Sequence, residues 1–415
     1  MKKGIIILSL ALSLFSCEQD KWQPLFNGQD LDGWLVKGED ATFEVIEEQV
    51  VGTNQGRNNT FLATEKRYTD FILELEVWVD QKMNSGIQFR SNQKKTGRVF
   101  GYQAEIDPSS RAYSGGIYDE ARRDWLYPLS LNPAGQQAFK NNEWNRYRIE
   151  AYGNSMRVWV NDICTAVLED DLTSDGFIAL QVHGVGTKEE EGRQVKWRNA
   201  RILTSSVEDQ LKPLPVDMYQ LNLVTHSMTE HEENQGWQWF YHPETLEEMF
   251  AKEVGWKWSD GQMSSDTTHG IFMGIGFERK DLDFEFSFQF KIDSSASGYL
   301  GYWLDQSGGR RYRIFDPSTG FEGLKDRMEE QYFVDIPLEN LSHPPMGTRY
   351  RKPLGTWNQG RIIVRSGKAQ HWMNGFKIAE FPVDNMTGSA LTNINLEWVR
   401  GNVDFTNFKI RFFEP

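Results

Sequence analysis

The chain is short of cysteine, of positive charge and of long apolar runs. Only Cys17 and Cys164 occur in 415 residues. With Cys17 read as a lipidation site, Cys164 has no intramolecular partner, so the fold must rest on its core rather than on disulfides. Lys and Arg number 45 against 59 Asp and Glu, a formal net charge of -14. A basic stripe of the kind that neutralises phosphates is missing, which argues against nucleic acid as a partner. No phosphate loop, dinucleotide fingerprint, nucleophile elbow or zinc signature is present. Beyond the first 17 residues no segment is apolar enough to cross a bilayer. Helical periodicity is also scarce, its clearest instance being the short stretch 243–252.

What the amino terminus does contain is informative. Lys2 and Lys3 precede an apolar run over residues 5–15, followed by Ser16 and Cys17. A spanning helix needs roughly 20 apolar residues, so this run reads as a secretory signal over residues 1–17. Cys17 completes a lipobox-like ending, although Phe15 is bulkier than usual there. The expectation is a lipoprotein held in the bacterial envelope at the outer membrane by acyl chains on Cys17. The mature chain is long enough for two or three domains.

Aromatic residues are abundant, with 15 Trp, 14 Tyr and 26 Phe. They suit an exported, acidic protein that handles carbohydrate, and they also fill β-sheet cores. Strand patterns dominate: Phe71, Leu73, Leu75, Val77 and Val79 alternate with other side chains, and Asn161-Asp162 marks a tight hairpin. Many short strands separated by turn signals predict an all-β sandwich.

The chain then repeats itself. Ser85-Gly86 recurs as Ser297-Gly298, Trp144-Asn145 as Trp357-Asn358, and Asn161-Asp162 as Asn374-Gly375. The closing stretch from Val195 to Ile202 recurs from Val403 to Ile410. Two tandem sandwiches follow, over residues 22–204 and 236–415, with a polar, Pro-containing linker over 205–235.

Three motifs of the first copy put ionisable groups into this strand-like background. Gln103, Glu105 and Asp107 lie two apart, so they share one strand face and suggest a groove floor open to solvent. Tyr118, Asp119 and Glu120 follow a Gly115-Gly116 turn, with Arg122, Arg123 and the aromatic platform Trp125 just beyond. His183 follows Gln181 by two at the end of an apolar strand, and an imidazole there suits a general base. In the second copy an apolar residue of the stretch Tyr312-Arg313-Ile314-Phe315 stands at the place of Glu105. The stretch Leu396 to Gly401 has no histidine, and Arg90 has no basic match near Tyr302-Trp303. Chemistry therefore belongs to the first copy. The histidines at 226, 231 and 242 have a spacing that fits no standard metal-ligand pattern and read as part of a solvated acidic loop.

These residues, with Leu25-Phe26-Asn27-Gly28 and Gly33-Trp34 near the mature start and Ser85 to Arg90, resemble the 3-keto-disaccharide hydrolase-like family. The resemblance covers about residues 22–203 and is weak in the second half. It implies a concanavalin A-like jelly-roll sandwich, here present twice, and action on glycosides already oxidised at C3 of the sugar. By the same resemblance, His183 is the base, and Arg90 and Tyr118 stabilise the oxyanion. Glu105 and Glu120 hold the sugar, assist the leaving group or bind a divalent cation; no cofactor is otherwise assigned. Gln103, Asp107 and Trp125 complete the substrate-binding set. The partners implied are an oligosaccharide or glycoside and, through the lipid, a membrane. Two alternatives remain at this point. One is a conventional endo-glucanase, whose third acid is replaced here by Ser109. The other is a non-catalytic surface glycan-binding protein, with Tyr299, Tyr302, Trp303 and Tyr312 serving a lectin-like second copy.

Overall fold

The computed structural model describes residues 22–240, 256–265, 270–273, 283–293, 297–305, 308–315, 351–382 and 394–413. The signal segment with Cys17, the helical stretch 243–252 and His242 lie outside the described residues.

The first half supplies sixteen strands. They are β1 (Trp22–Pro24), β2 (Trp34–Lys37), β3 (Ala41–Ile46), β4 (Gln49–Asn54), β5 (Thr60–Tyr68) and β6 (Phe71–Val79). Next come β7 (Ser85–Gln93), β8 (Val99–Ile106), β9 (Ile117–Glu120), β10 (Asp124–Tyr127) and β11 (Asn145–Tyr152). The set ends with β12 (Ser155–Val160), β13 (Ile163–Glu169), β14 (Gly176–Val182), β15 (Gln194–Leu203) and β16 (Leu221–Asn222). One sheet runs β16-β13-β12-β11-β6-β15-β4-β3, with β1 on β15, and the other β10-β9-β8-β7-β14-β5-β2. The alternation of β6 places Phe71, Leu73, Leu75, Val77 and Val79 in the core between the sheets. Its intervening Glu74 and Glu76 face outward, onto Arg148 and Arg201 and onto Arg198. From the other sheet Ile87, Phe89, Tyr102, Ala104 and Leu180 meet this core. Each fully buried side chain of this size stabilises by about 1.5–3 kcal/mol.

The second half supplies α1 (Glu230–Asn234), β17 (Gln238–Trp239), β18 (Trp256–Ser259), β19 (Gln262–Ser265), β20 (Gly270–Met273) and β21 (Asp283–Ile292). It continues with β22 (Ser297–Asp305), β23 (Gly308–Phe315), β24 (Asn358–Arg365) and β25 (Lys368–Met373). The last strands are β26 (Phe376–Pro382), β27 (Ile394–Arg400) and β28 (Val403–Phe413). Its larger sheet, β18-β19-β28-β21-β24-β25-β26, repeats the path β3-β4-β15-β6-β11-β12-β13 strand for strand. Its smaller sheet, β20-β27-β22-β23, repeats β5-β14-β7-β8. The chain is thus all-β, two tandem concanavalin A-like jelly-roll sandwiches.

Local backbone devices recur with the topology. The hairpin residues Asn161 and Asp162 have φ of 47° and 66°, and Asn374 and Gly375 have 49° and 82°. Positive φ at both central positions is what a tight two-residue hairpin requires. Asn199 in β15 and Asn407 in β28 both sit at φ 53° beside breaks in register. Asparagine tolerates this left-handed geometry, and each such bulge sharpens the twist of a long closing strand.

The stretch 205–235 is more than a polar connection. Val207 packs with Ile72 and Leu203, and Met218, Tyr219 and Leu221 enter the first core. Thr229 caps α1 in a capping box with Glu232, which satisfies the first free backbone N–H groups of the helix. Buried Glu232 also accepts from Asn222 at 2.8 Å and from Lys409 of the second sandwich at 2.6 Å. The prolines and charges suggested solvent, whereas the sparse apolar side chains between them pack into the first sandwich, and Glu232 ties the stretch to the second.

Candidate active site

Register on the sheet of β8, β7 and β14 decides which side chains meet. Gly86 of β7 pairs with Glu105 on one side and with Gln181 on the other. Gln88 pairs with Gln103, and Gln103 with Tyr118 of β9. Val182 pairs with Ser85, so His183, one residue further, stands at the register position of Asn84. Since Ser85 pairs with Ile106, Asn84 in turn stands beside Asp107. Two-residue periodicity puts Gln181, His183, Asn84, Glu105 and Asp107 on the face opposite the core. Gly86 leaves room in the middle, and Gln103 fills it: a Cβ on Gly86 would fall 2.2 Å from the Gln103 side chain.

The floor these residues form is covered, contrary to the expectation of an open one. Gln103, Glu105 and Asp107 are only 2%, 4% and 4% exposed. A chain of amides runs beneath the cover. Ser91 Oγ donates to Gln88 Oε1 at 2.7 Å, Gln88 Nε2 to Gln103 Oε1 at 2.7 Å, and Gln103 Nε2 to Glu105 Oε2 at 2.9 Å. Asn84 Nδ2 donates to Glu105 Oε1 at 2.6 Å. Burial lifts the Glu105 carboxyl to about 7, against the opposing pull of the Asn84 and Gln103 donors and of the Arg111 guanidinium. A carboxyl balanced near neutrality can give or take a proton at working pH.

Asp107 has the opposite poise. Burial works against its charge, but donors from Ser109 and Arg111 outweigh burial and hold it below the usual carboxylate range. Arg111 Nε lies 2.7 Å from Asp107, and another of its nitrogens lies 3.7 Å from Glu105. The same guanidinium stacks over Trp125 and Tyr113 at 5.1 and 5.2 Å. Trp125 also meets Tyr118 edge-on at 5.3 Å. Tyr118 donates its hydroxyl to Asp124 at 2.9 Å, and burial together with that carboxylate pushes its ionisation up.

Glu120 shares the face of Tyr118 and Gln103 but pairs with Gly101. Gly101 and Glu105 stand four positions apart on the strand, about 13 Å of rise, so Glu120 is at the far end of the row. Burial raises its carboxyl, and Arg98 lies 3.9 Å away. His183 contributes Nδ1 to a 2.6 Å contact with the Gly184 carbonyl, while its own carbonyl accepts from Asn54.

Arg90 is not brought to this face. It is 1% exposed, and its guanidinium bonds the Thr69 carbonyl at 2.9 Å, the Gly153 carbonyl at 2.8 Å and Asp70 at 3.1 Å. Arg90 has φ 45°, and the β7–β8 register slips between Phe89 and Asn92. This bulge breaks the alternation that would have put Arg90 beside Gln88 and turns the side chain toward loops between the sheets. The cation that does sit with the acids is Arg111, which sequence reasoning missed. Its signal was the Asp107-Pro108-Ser109 turn, which brings a residue four positions on back toward Asp107. Asn84 was missed as well, because its role follows only from strand pairing.

A divalent cation does not fit this donor set. The carboxylate oxygens of Glu105 and Asp107 are taken by amide and guanidinium donors, and a second positive charge would sit against Arg111. Among the described residues no cluster of three or more His, Cys, Asp or Glu forms a metal site.

In the second sandwich Gly298 pairs with Ile314 and with Trp398, as Gly86 pairs with Glu105 and with Gln181. The register thus puts Ile314 at the Glu105 position and Arg400 at the end of the strand matching β14.

No curated protein matches the chain. Among solved structures, a putative glycosyl hydrolase from Parabacteroides distasonis is 17% identical with a TM-score of 0.34, covering 44% of this chain and 93% of its own. The carbohydrate binding module CBM66 from Bacillus subtilis is 16% identical with a TM-score of 0.30, covering 41% of this chain and 94% of its own. A Bacillus subtilis protein of unknown function with a galectin-like fold is 11% identical with a TM-score of 0.34, covering 44% and 94%. The family described as the 3-keto-alpha-glucoside-1,2-lyase-like domain matches residues 21–203 and again residues 220–411. Both sandwiches are therefore accounted for, and the chain belongs to the 3-keto-alpha-glucoside-1,2-lyase-like family.

Proposed function

We propose that the first sandwich cleaves 3-keto-glycosides by base-led elimination on the face built from β8, β7 and β14. The observation that carries this reading is Glu105, a buried carboxyl lifted to about 7 beside a cation and a histidine-bearing strand end. A ketone at C3 acidifies the proton on C2. His183 takes that proton, and the electron pair moves into an enolate whose oxygen needs a donor. Arg111 and Tyr118 occupy the flank of the row from which such donors would come. As the enolate collapses, the C1–O bond to the aglycone breaks and Glu105, in its protonated form, supplies the proton to the departing oxygen. Addition of water across the new C1–C2 double bond completes a net hydrolysis; without it the enzyme is a lyase. The strand of His183 and β8 are two strand spacings apart, about 10 Å, so base and acid would address the sugar from two ends of one sheet face.

The same reading places the mature protein in the bacterial envelope, anchored at the outer membrane through lipid on Cys17. It rests on the basic, apolar and Ser16-Cys17 succession of the amino terminus.

The deciding experiment compares aglycone release from a chromogenic 3-keto-glucoside, in both anomers, with release from the unoxidised glucoside. Turnover of the 3-keto form alone supports elimination. Turnover of the unoxidised form would favour a conventional glycosidase, and turnover of neither would leave a binding protein.

A further inference from the structure

A cleft of about 470 Å³ opens where the two sandwiches meet, beside the Arg122-Arg123 turn between β9 and β10. None of Gln103, Glu105, Tyr118 or His183 lines it. The first sandwich contributes Arg122, Asp171 and Leu172 to its walls, and the second contributes Lys352, Trp357 and Gln359. Its size falls in the range of small-molecule sites, about 300–1,000 Å³.

The chemistry of the walls narrows the ligand. Most of the charge is already matched within the protein. Arg122 and Arg123 share Asp119, Arg123 also meets Asp170, and Lys291 lies 2.9 Å from Asp404. Lys352 donates to the Arg123 and Trp125 carbonyls, and burial brings its ammonium down to about 7. A strongly charged ligand would thus find little uncompensated charge. Uncharged hydroxyl groups of Thr225 and Thr356 line the cleft as well, and each can donate or accept a hydrogen bond. Apolar surface is present on both walls: Trp357 is half-buried under Lys291 at 4.8 Å, and Leu172 is 54% exposed. Asp171 is exposed and offers acceptor oxygens at the rim.

An aromatic side chain, threonine hydroxyls, a carboxylate at the rim and balanced charge together describe a receptor for hydroxyl groups on a flat apolar ring. We propose that this interdomain cleft is a second saccharide site, which holds a neutral, unoxidised oligosaccharide while the first sandwich acts on 3-keto sugar. Both sandwiches are needed to build it, which gives the second copy a purpose independent of the Glu105 chemistry.

The test is calorimetric titration of the mature two-sandwich chain with neutral tetrasaccharides of glucose, mannose, galactose and xylose. At least one is expected to bind. Trp357→Ala should weaken that binding tenfold or more, Asp171→Ala should weaken it several-fold, and Glu105→Gln should leave it unchanged. Trp357 and Asp171 are partly or fully exposed, so both variants should keep the thermal transition of the parent. The proposal is overturned if no tetrasaccharide binds at millimolar concentration. It is equally overturned if binding survives Trp357→Ala but is lost in Glu105→Gln, which would move the sugar to the other face. Failure here leaves the 3-keto-glucoside assay unaffected, so the two readings fall separately.

Discussion

Asn84 Nδ2 donates to Glu105 Oε1 across 2.6 Å, from the loop before β7 to the strand beside it. This contact joins the acid to the loop residue that stands level with His183. The chemistry proposed for the first sandwich depends on how that acid titrates, and the first prediction concerns its proton.

Glu105→Gln should change how stability depends on pH. Folding raises this carboxyl from 4.5 to about 7, so the native state binds the extra proton in that window. The parent therefore loses stability as pH rises from about 4.5 to about 7, by on the order of 3 kcal/mol from this group alone. The glutamine variant should lack that decline. Denaturant midpoints measured at several pH values across the window check it, and parallel curves for the two proteins would refute the assignment.

His183→Ala should lower aglycone release from a 3-keto-glucoside by about 10²–10⁴-fold, the usual contribution of a positioned base. Its folding should be little changed, since the ring makes one local contact. Unaltered turnover would remove His183 from the mechanism.

Arg111→Met and Arg90→Met should separate two arginines that look equivalent in sequence. Without Arg111 the Glu105 carboxyl loses an attraction that lowers it, so the alkaline limb of the rate profile, where the acid loses its proton, should move to higher pH as activity falls. Without Arg90 two backbone carbonyls and Asp70 lose their donor. The loss of stability should be about 3 kcal/mol or more, with the specific activity of the folded protein kept. An Arg90→Met enzyme that is fully stable but inactive would reverse this assignment.

Lys352→Met probes the junction between sandwiches. Burial brings the lysine from 10.5 down to about 7, so the unfolded chain binds the proton more tightly between those values. The parent should gain stability as pH rises from about 7 to about 10.5. The methionine variant should not, and equal slopes in urea titrations over that range would contradict the burial of this ammonium.

Much of the scaffold is legible in the sequence because it is written in short-range patterns. The alternation from Phe71 to Val79, the paired hairpin residues at 161–162 and 374–375, and the recurring Asn199 and Asn407 each report local geometry. The shared face of Gln103, Glu105 and Asp107 follows from the same two-residue period. What depended on long-range placement was not legible. Asn84 reaches Glu105 from another loop, and only strand register brings it there. Arg90 failed for a local reason, since one left-handed residue in a bulge reverses the face that counting by two assigns. The stretch 205–235 misled by composition: its few apolar residues are buried one at a time between prolines and charges.

The amide chain that ends on Glu105 has a direction. Each link from Ser91 through Gln88 and Gln103 offers hydrogen toward the carboxyl, so Oε2 always faces a donor. Turning one carboxamide around would set like against like at the next, and both glutamines would have to turn together. A proton that arrives on Glu105 is therefore steered to Oε1. There its neighbours, the Asn84 amide and the Arg111 guanidinium, are donors too. The protonated acid thus points its hydrogen at no acceptor among these described neighbours, and an incoming sugar oxygen is the group that resolves the mismatch.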